Sequence, residues 1–182
     1  MYGLVNQAIQ DLVTREHGSD TWESICREVG LEGTEFEPMK SYSDDLTYRL
    51  VGAVCKISQA DPGNWLRSLG DHWITFTANE GYGEMMDMFG RDLRSCLKNL
   101  NGMHGHMGAM MPKLSPPRFR VEETRPDQII VHYYSHREGL GPMVIGLLEG
   151  LARRFGDQIE ISHQAKGSRS DHDEFDIRFL SS

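Results

Sequence analysis

The sequence predicts an α+β fold in which a series of helices precedes a small sheet. Residues 1 to about 111 carry apolar residues at the spacing of helices, whereas from Arg118 onward the apolar spacing shifts towards two residues. Residues 142–155 have the pattern of a helix with Pro142 near its N-terminus, so the second region is ordered strand, strand, helix, strand, strand. The alternating residues are Phe119 and Val121 near the start of this region and Phe175, Ile177 and Phe179 near its end.

Two of the predicted helices show the pattern most clearly. The first lies near the N-terminus, and the second follows Ser43, whose side chain is suited to capping a helix that begins with two aspartates. Residues three and four apart share one face of a helix, so each helix has an apolar face for a core. The apolar residues are Leu4, Ala8, Ile9, Leu12 and Val13 in the first helix and Leu46, Leu50, Val54 and Ile57 in the second.

Residues 93–111 predict a further helix, and His104 lies in the middle of its apolar stripe. His106 is two residues further on, about 200° round the helix axis, so it points away from that stripe. The serine and two prolines at residues 115–117 follow the helix and end it. From the residues alone, His104 is either a metal ligand or a core histidine bonded to a backbone carbonyl. The stripe consists of Leu93, Leu97, Leu100, His104, Met107 and Met111.

Residues 129–137 predict a strand, because they are rich in β-branched and aromatic side chains and follow a turn at residues 124–127. Alternate side chains share one face of a strand, and this face changes from apolar to polar along its length. Its arginine is well shaped to bind carboxylates, because the planar guanidinium donates parallel hydrogen bonds. The alternative is a strand that leaves the core, with Arg137 simply exposed to solvent. The face comprises Ile129, Val131, Tyr133, Ser135 and Arg137.

The histidine and the polar triplet together match the needs of a haem. A histidine can ligate the iron, and the strand face has the polarity of a haem, which combines an apolar macrocycle with a carboxylate edge. The Tyr-x-Ser-x-Arg triplet follows His104, with twenty-nine residues from histidine to tyrosine and a Pro-Pro pair between them, and it resembles the H-NOX family of haem nitric oxide/oxygen-binding domains. The likeness is to the cyanobacterial, soluble-guanylate-cyclase-like type. It also involves residues 1–6, 17–23, 42–45, 81–83 and 146–150.

This resemblance implies a fold and a set of roles. The fold would be a helical N-terminal distal part packed on a C-terminal antiparallel sheet with helices, with haem b (iron protoporphyrin IX) buried between them. In a single domain of residues 1–182, residues 1 to about 60 would form the distal subdomain and residues 61–182 the proximal subdomain. The implied roles are proximal iron ligand for His104, propionate contacts for Tyr133, Ser135 and Arg137, and haem distortion for Pro117.

The distal pocket decides which gas binds, through its polarity and its hydrogen-bond donors. Oxygen-binding relatives carry a donor tyrosine at the position that corresponds to Met143, and methionine cannot donate. Trp73 falls at another distal position, and its indole N–H is the single donor that we predict there. We therefore predict a protein that binds NO and CO at ferrous haem and binds O2 poorly. The further distal walls that we predict are Met1, Leu4, Val5 and Leu147.

The resemblance implies a gas sensor and not an enzyme. Binding of NO would weaken the bond between iron and His104 and shift the conformation of the protein, which would regulate a signalling partner. Stand-alone relatives regulate a histidine kinase, a cyclic-di-nucleotide signalling enzyme or a chemotaxis protein. Three alternatives stay open, namely an O2-binding sensor, a peroxidase-like haem enzyme that uses His72 beside Trp73, and a non-haem metal site that combines His104, His106 and another histidine.

The composition is that of one compact domain. The chain has 182 residues, of which 38% are hydrophobic, and a net charge of −8, which argues against binding to nucleic acids or anionic membranes. No segment is long and apolar enough to span a bilayer, and no secretory leader is evident, so we expect a cytoplasmic protein.

The three cysteines, Cys26, Cys55 and Cys96, are too scattered to predict a disulfide framework or a cysteine metal knuckle. Some H-NOX relatives hold a structural zinc with cysteines and a histidine near the C-terminus. Residues 159–179 contain no cysteine, so we predict no zinc of that kind. The polar residues 166–173 within this region predict a hairpin loop.

Overall fold

The computed structural model describes residues 1–167 and 170–180, which form seven α-helices and four strands. Six helices precede the strands, and the seventh lies between β2 and β3. Within the described residues, no helix has both the length and the apolar character of a membrane span. The helices are α1 (Gly3–His17), α2 (Ser19–Val29), α3 (Asp44–Ser58), α4 (Pro62–Thr77), α5 (Gly83–Phe89), α6 (Leu93–Met110) and α7 (Gly141–Phe155), and the strands are β1 (Arg118–Arg125), β2 (Gln128–Tyr134), β3 (Ile159–Gln164) and β4 (Asp173–Phe179).

Helices α1 to α4 enclose the first of two hydrophobic clusters. The apolar residues predicted for α1 are all buried, and in α3 Leu50 and Val54 are buried while Leu46 and Ile57 are half-buried. Ser43 caps α3 as predicted, because its hydroxyl accepts a hydrogen bond from the backbone N–H of Leu46 at 3.3 Å. The apolar spacing therefore identified the inward faces of both helices.

The four strands form one antiparallel sheet in the order β1-β2-β4-β3. At its centre, Val131 of β2 lies opposite Val121 of β1 and Phe175 of β4. The face that carries these residues packs against α6 and α7 in the second hydrophobic cluster, so the alternate residues point away from the helices. The loop predicted at residues 166–173 connects β3 to β4, and residues 168 and 169 within it lie outside the described residues.

Helices α4 and α7 pack at very close range. A Cβ atom on Gly146 of α7 would lie 1.9 Å from the carbonyl oxygen of Arg67 in α4. In the same way, a Cβ atom on Gly70 of α4 would lie 2.0 Å from the carbonyl oxygen of Met143 in α7. Only glycine leaves room for two backbones this close. Two ion pairs border the contact, Arg67 with Glu149 and Asp71 with Arg153.

A π-helical turn, Ala78–Tyr82, joins α4 to α5 and was not predicted from the sequence. Gly81 within it has a φ of 93°, a left-handed conformation that favours glycine. Such turns inside helices are frequent at functional sites. Here the turn brings Tyr82 to the wall of the cavity described below.

Strand β2 is shorter than predicted. It ends at Tyr134, so Ser135 and Arg137 follow the strand and do not extend its alternating face. The chain turns here, because the Ser135 hydroxyl accepts a hydrogen bond from the backbone N–H of Arg137 at 3.0 Å. The predicted strand was therefore wrong at its C-terminal end, whereas its buried residues Ile129, Val131 and Tyr133 do share one face.

Candidate functional site

A cavity of about 440 Å3 is lined by residues of both hydrophobic clusters. Most of its walls are apolar, and they come from α1, α4, α6 and α7 and from the end of β2. Of the eleven residues that we predicted for the site, ten line this cavity, and Ser135 does not. The ten are Met1, Leu4, Val5, Trp73, His104, Pro117, Tyr133, Arg137, Met143 and Leu147.

Helix α6 presents His104 to the cavity. Its ring nitrogen Nδ1 is buried and has no hydrogen-bond partner among the described residues. Burial lowers the pKa of the imidazole below its usual value, and the backbone carbonyl of Pro117 opposes this effect in part. His104 is therefore neutral at neutral pH, which is the form that binds a metal ion. A neutral imidazole has one N–H and one nitrogen lone pair, so a ring that donates to a carbonyl keeps its other nitrogen for a ligand.

Asn101 fixes α6 to the sheet three residues before His104. Its side-chain amide donates to the carbonyl oxygen of Phe119 at 2.6 Å, and its side-chain oxygen accepts from the N–H of Phe119 at 2.9 Å. The Phe119 ring lies 6.0 Å from the His104 ring and 5.3 Å from the Tyr133 ring, between centroids. The position of His104 is thus tied to the first residues of β1.

Tyr133 and Arg137 supply the polar end of the cavity. Tyr133 is 4% exposed, and burial raises the pKa of its phenol, although a hydrogen bond with Ser135 opposes that shift. Arg137 directs its guanidinium to the Asp44 carboxylate, with Nε 2.9 Å from Oδ2, and donates to the Ser115 carbonyl at 2.8 Å. A phenol and a guanidinium at one end of an apolar cavity are suited to the carboxylates of a ligand.

Asp44 is a site residue that the sequence reasoning missed. It lines the cavity at the start of α3, and its carboxylate accepts hydrogen bonds from the Met1 ammonium at 2.7 Å and from Arg137. Burial alone would raise the pKa of this carboxyl, but the Met1 ammonium and Arg137 together lower it. Asp44 was noted as part of a helix start and of the family resemblance at residues 42–45, but nothing in the local sequence joins residue 44 to residue 137.

These residues fit a haem. A neutral histidine with an unpaired, buried ring nitrogen stands in an apolar cavity, and hydrogen-bond donors from Tyr133 and Arg137 stand at the edge of that cavity. This combination provides what an iron porphyrin with two carboxylates requires. His104 would hold the iron, and Tyr133 and Arg137 would hold carboxylates.

Comparison with known proteins agrees with this fit. Residues 2–163 match the model of a family described as haem-NO-binding. The chain belongs to this H-NOX family. H-NOX domains are haem-binding sensor domains and are not themselves enzymes.

Sequence relatives of this H-NOX domain include soluble guanylate cyclases. Soluble guanylate cyclase gcy-35 of Caenorhabditis elegans is 31% identical over 175 residues, which are 94% of this chain and 25% of that protein. The chain therefore spans about a quarter of the length of this relative.

Two crystal structures of H-NOX proteins with different bound gases share the fold of this chain. An H-NOX protein from S. oneidensis in the Fe(II)NO ligation state has a TM-score of 0.88 and 21% identity, over 100% of both chains. An oxygen-binding H-NOX domain related to soluble guanylate cyclases, in its oxygen complex, has a TM-score of 0.82 and 21% identity, over 100% of this chain and 96% of that one. The predicted α+β fold is confirmed.

The cavity of this H-NOX domain is also lined by hydroxyl side chains to which the sequence analysis gave no role in ligand binding, among them Thr77 and Tyr82. Thr77 donates to the carbonyl oxygen of Trp73 at 2.6 Å, so its proton is engaged within α4. Tyr82 comes from the π-helical turn and is half-buried. Its place in the Gly81-Tyr82-Gly83 block was the available signal, because glycines on both sides of an aromatic residue indicate an irregular backbone.

The structure does not bring together the residues that a peroxidase-like enzyme or a non-haem metal site would need in the cavity. His72 is buried outside it, with Nε2 2.8 Å from Oδ2 of Asp11, so it is not placed as a peroxidase-like acid or base there. His106 is exposed and does not line the cavity, whereas His104 does. The two histidines of α6 therefore diverge, as their spacing predicts, and do not form a common metal site.

Proposed function

We propose that this H-NOX domain binds haem b through His104 and responds to nitric oxide. The observation that carries the proposal is the neutral imidazole of His104, whose side chain lines the apolar cavity and whose Nδ1 is shielded from solvent. Tyr133 and Arg137 would contact the propionates directly. Ser135 would act indirectly, because it forms hydrogen bonds with the backbone N–H of Arg137 and with the phenol of Tyr133 and so positions both residues.

The walls of the cavity support a preference for NO and CO over O2. Bound O2 carries partial negative charge and gains from a hydrogen-bond donor, whereas NO binds well without one. Met143 lines the cavity and offers no donor, and Leu4, Val5 and Leu147 beside it are apolar. Trp73 has an indole N–H, but its side chain is partly buried and packs against the first hydrophobic cluster.

The two subdomains that we propose, residues 1 to about 60 and residues 61–182, would meet at the haem. The buried apolar residues of α1 to α3 lie in the first hydrophobic cluster and those of α6, α7 and the sheet in the second, which supports a division close to α4. Helix α4 belongs to both, because it contributes Trp65 and Leu69 to the first cluster and Ile74 to the second. A change at the haem would therefore reach the distal helices through α4.

The response would begin at His104. A ferrous haem held by His104 would supply a binding site for a diatomic gas, and binding of NO would weaken the hold of the haem on His104. Once released, His104 would be free to move with α6, and Pro117, which lines the cavity, would no longer be held against a fixed partner. Asn101 ties α6 to β1, so movement of the helix would be passed to the sheet. The gas shifts the equilibrium only as far as its affinity differs between the two conformations.

The partner that we propose is a signalling protein: a histidine kinase, a cyclic-di-nucleotide enzyme or a chemotaxis protein. The C. elegans relative is a guanylate cyclase of which this chain matches a quarter of the length, so an output domain in the same polypeptide is a further form that such a partner can take.

The optical spectrum of the ferrous protein tests the proposal, recorded without ligand, in air, and with NO or CO. We expect a Soret band of five-coordinate haem that NO and CO shift and that air leaves without a stable oxy form. If the chain binds no haem after reconstitution, the proposal is wrong at its first step. A stable oxy spectrum would overturn the gas preference and leave the haem site intact.

Tyr82 favours the second candidate function, an O2-binding sensor, because a phenol in the cavity can donate to bound O2. If a stable oxy complex forms, Tyr82→Phe and Trp73→Phe will show whether either side chain is its donor. The variant that lacks the donor should lose oxygen much faster, by on the order of tenfold for a hydrogen bond of about 1.4 kcal/mol. NO binding should be nearly the same in both variants.

A further inference from the structure

The face of the sheet that points away from the helices carries a compact group of metal-ligating side chains. His132 lies on β2, Glu174 lies opposite it on β4, and His172 comes just before β4. One ligand atom from each of the three residues lies within 4.8 Å of the other two. None of the three lines the haem cavity, because they alternate with the inward residues Val131 and Phe175.

The distances within this group suit a single ion. Nδ1 of His132 lies 2.8 Å from Nε2 of His172 and 3.5 Å from Oε1 of Glu174. The distance between Nε2 of His172 and Oε1 of Glu174 is 3.2 Å. Four ligands at about 2.0–2.1 Å around a tetrahedral zinc are separated by roughly 3.3–3.4 Å. We propose that His132, His172 and Glu174 bind one divalent transition-metal ion, Zn2+ by preference, with its fourth position open to water.

The His172 ring is held in place for this task. Its Nδ1 lies 2.7 Å from Oδ1 of Asp171, which leaves Nε2 directed to the other two ligands. Tyr134 stacks on the ring, with the centroids 4.4 Å apart and the planes at 27°. A carboxylate behind a metal-binding histidine fixes its tautomer and raises its basicity. The His172 side chain is thus oriented before any ion arrives.

His132 is the buried ligand of the group. It is 5% exposed, and the Arg120 guanidinium donates to its Nε2 at 2.8 Å, so its Nδ1 carries the proton shared with His172. Coordination through Nδ1 moves this proton to Nε2, which then donates a hydrogen bond to Glu122, whose Oε2 lies 3.4 Å away. Arg120 must turn outward to allow this, and its side chain is 55% exposed. No proton is released, because the ring only changes its tautomer.

The charge of the group suits a divalent cation. Two neutral imidazoles and one carboxylate leave a net charge of +1 with the ion, and Asp171 and Glu122 lie directly behind the two rings. Borderline divalent ions such as Zn2+ prefer imidazole and carboxylate ligands in this combination. The site uses no cysteine, so it differs in ligands from the cysteine-and-histidine zinc that we excluded above.

Zinc binding by the untagged chain, freed of metal with a chelator and then dialysed against Zn2+, tests the inference. We expect about one Zn2+ per chain, and X-ray absorption at the zinc edge should show imidazole and oxygen ligands at about 2.0–2.1 Å with no sulfur. His172→Ala and Glu174→Gln should each weaken binding by on the order of 100-fold. Asp171→Asn, which acts behind His172, should weaken it by about tenfold or more.

His106→Gln is the matched control, because His106 is exposed on α6 and far in sequence from the group. Its zinc affinity should equal that of the unchanged chain. Absence of stoichiometric binding, unchanged affinity in the His172 and Glu174 variants, or sulfur in the zinc shell would each overturn the inference. None of these results depends on whether the chain binds haem, so the proposed function is tested separately.

Discussion

His104 and His106 show how one helix gives two histidines opposite environments. They are two residues apart on α6, yet His104 lines the cavity with a buried, unpaired Nδ1, and His106 is exposed to solvent. The pKa of His104 is lowered by burial, so its neutral form is available to a metal ion without the loss of a proton. His106 can therefore serve as a control for substitutions of His104 on the same helix.

Replacement of His104 by glycine should remove the axial ligand without adding bulk to the cavity. We expect His104→Gly to lose the spectrum of five-coordinate, histidine-bound ferrous haem and to regain it when free imidazole is added. In that state binding of NO can no longer move α6, because the free imidazole is not covalently attached to the helix. Solution scattering or hydrogen exchange of the imidazole-rescued variant should show no change on addition of NO.

His106→Gly is the control for this experiment, because it also places a glycine in α6. Both variants lose about the same helical propensity, on the order of 1 kcal/mol at most. The control should keep the spectrum and the NO-dependent change of the unchanged chain. If it lost them too, the effect of His104→Gly would reflect a weakened helix and not a lost ligand.

Residue-scale prediction from the sequence succeeded where spacing defines a face. Helical steps placed His104 inward, and alternation placed Tyr133 on the buried face of β2. It failed to find Asp44 and Tyr82, because their places in the cavity depend on contacts distant in sequence and on a π-helical turn. The roles of the site residues in binding haem remain predictions.

At the scale of elements, the contact between α4 and α7 sets the shape of one cavity wall. Trp73 belongs to α4 and Met143 to α7, and both line the cavity. The two helix backbones approach so closely at Gly70 and Gly146 that a Cβ atom on either glycine would overlap a carbonyl oxygen of the other helix. Trp73 and Met143, which we propose to influence the choice of gas, are therefore positioned by glycines at the contact between the two helices.

Gly146→Ala should separate these two helices. The added methyl group would lie 1.9 Å from the carbonyl oxygen of Arg67, a contact that only a backbone shift relieves. We expect the free energy of unfolding to fall by about 1–3 kcal/mol, as for other overpacked sites. Denaturant unfolding followed by far-UV circular dichroism measures this change, and the Soret position of the haem-loaded variant should also shift as Trp73 and Met143 move.

Gly52→Ala provides the opposite case within a helix. Gly52 lies on the exposed side of α3, and a Cβ atom there meets nothing within 4 Å. Alanine should therefore raise the free energy of unfolding, by up to about 1 kcal/mol, because it favours the helix more than glycine does. Equal destabilisation by both substitutions would contradict the account of Gly146 as a contact residue.

The order of the elements was accessible from the sequence, and their exact ends were not. The change from helical to alternating spacing gave the helices first and the strand-strand-helix-strand-strand unit behind them, and the structure confirms both. The end of β2 at Tyr134 depends on a local hydrogen bond between Ser135 and Arg137, which spacing does not encode. The close approach of α4 and α7 is likewise a tertiary contact, although Gly146 was noted as part of the family pattern.

At the scale of the whole molecule, Asp44 joins three distant parts of the chain beside the cavity. Its carboxylate holds the Met1 ammonium at 2.7 Å and the Nε of Arg137 at 2.9 Å, and it belongs itself to the first turn of α3. The N-terminus, a distal helix and the segment after β2 therefore meet at one carboxylate. A haem carboxylate at Arg137 would add to this network or compete with Asp44 for it.

The pKa of Asp44 gives the network a defined dependence on pH. Burial alone would raise this pKa, but hydrogen bonds from the Met1 ammonium and Arg137 lower it below the ordinary value of 3.8. The folded state therefore binds fewer protons at this carboxyl than the unfolded state does. The stabilisation is complete above the unfolded pKa, and it is lost as the pH falls from about that value through the lower pKa of the folded state.

Asp44→Asn should remove this stabilisation, because an amide has no charge for Met1 and Arg137. The carboxylate is 34% exposed, so solvent screens the pairs, and we expect a loss of only about 1 kcal/mol in the free energy of unfolding at pH 7. Asp45→Asn in the same helical turn is the control, because its pair with Arg49 is fully open to water at 78% exposure and should contribute little. Chemical denaturation between pH 7 and about pH 3 should show the Asp44→Asn and unchanged chains converging as the acid protonates the carboxyl. A difference between them that stayed constant across this range would mean that Asp44 acts through packing and not through its charge.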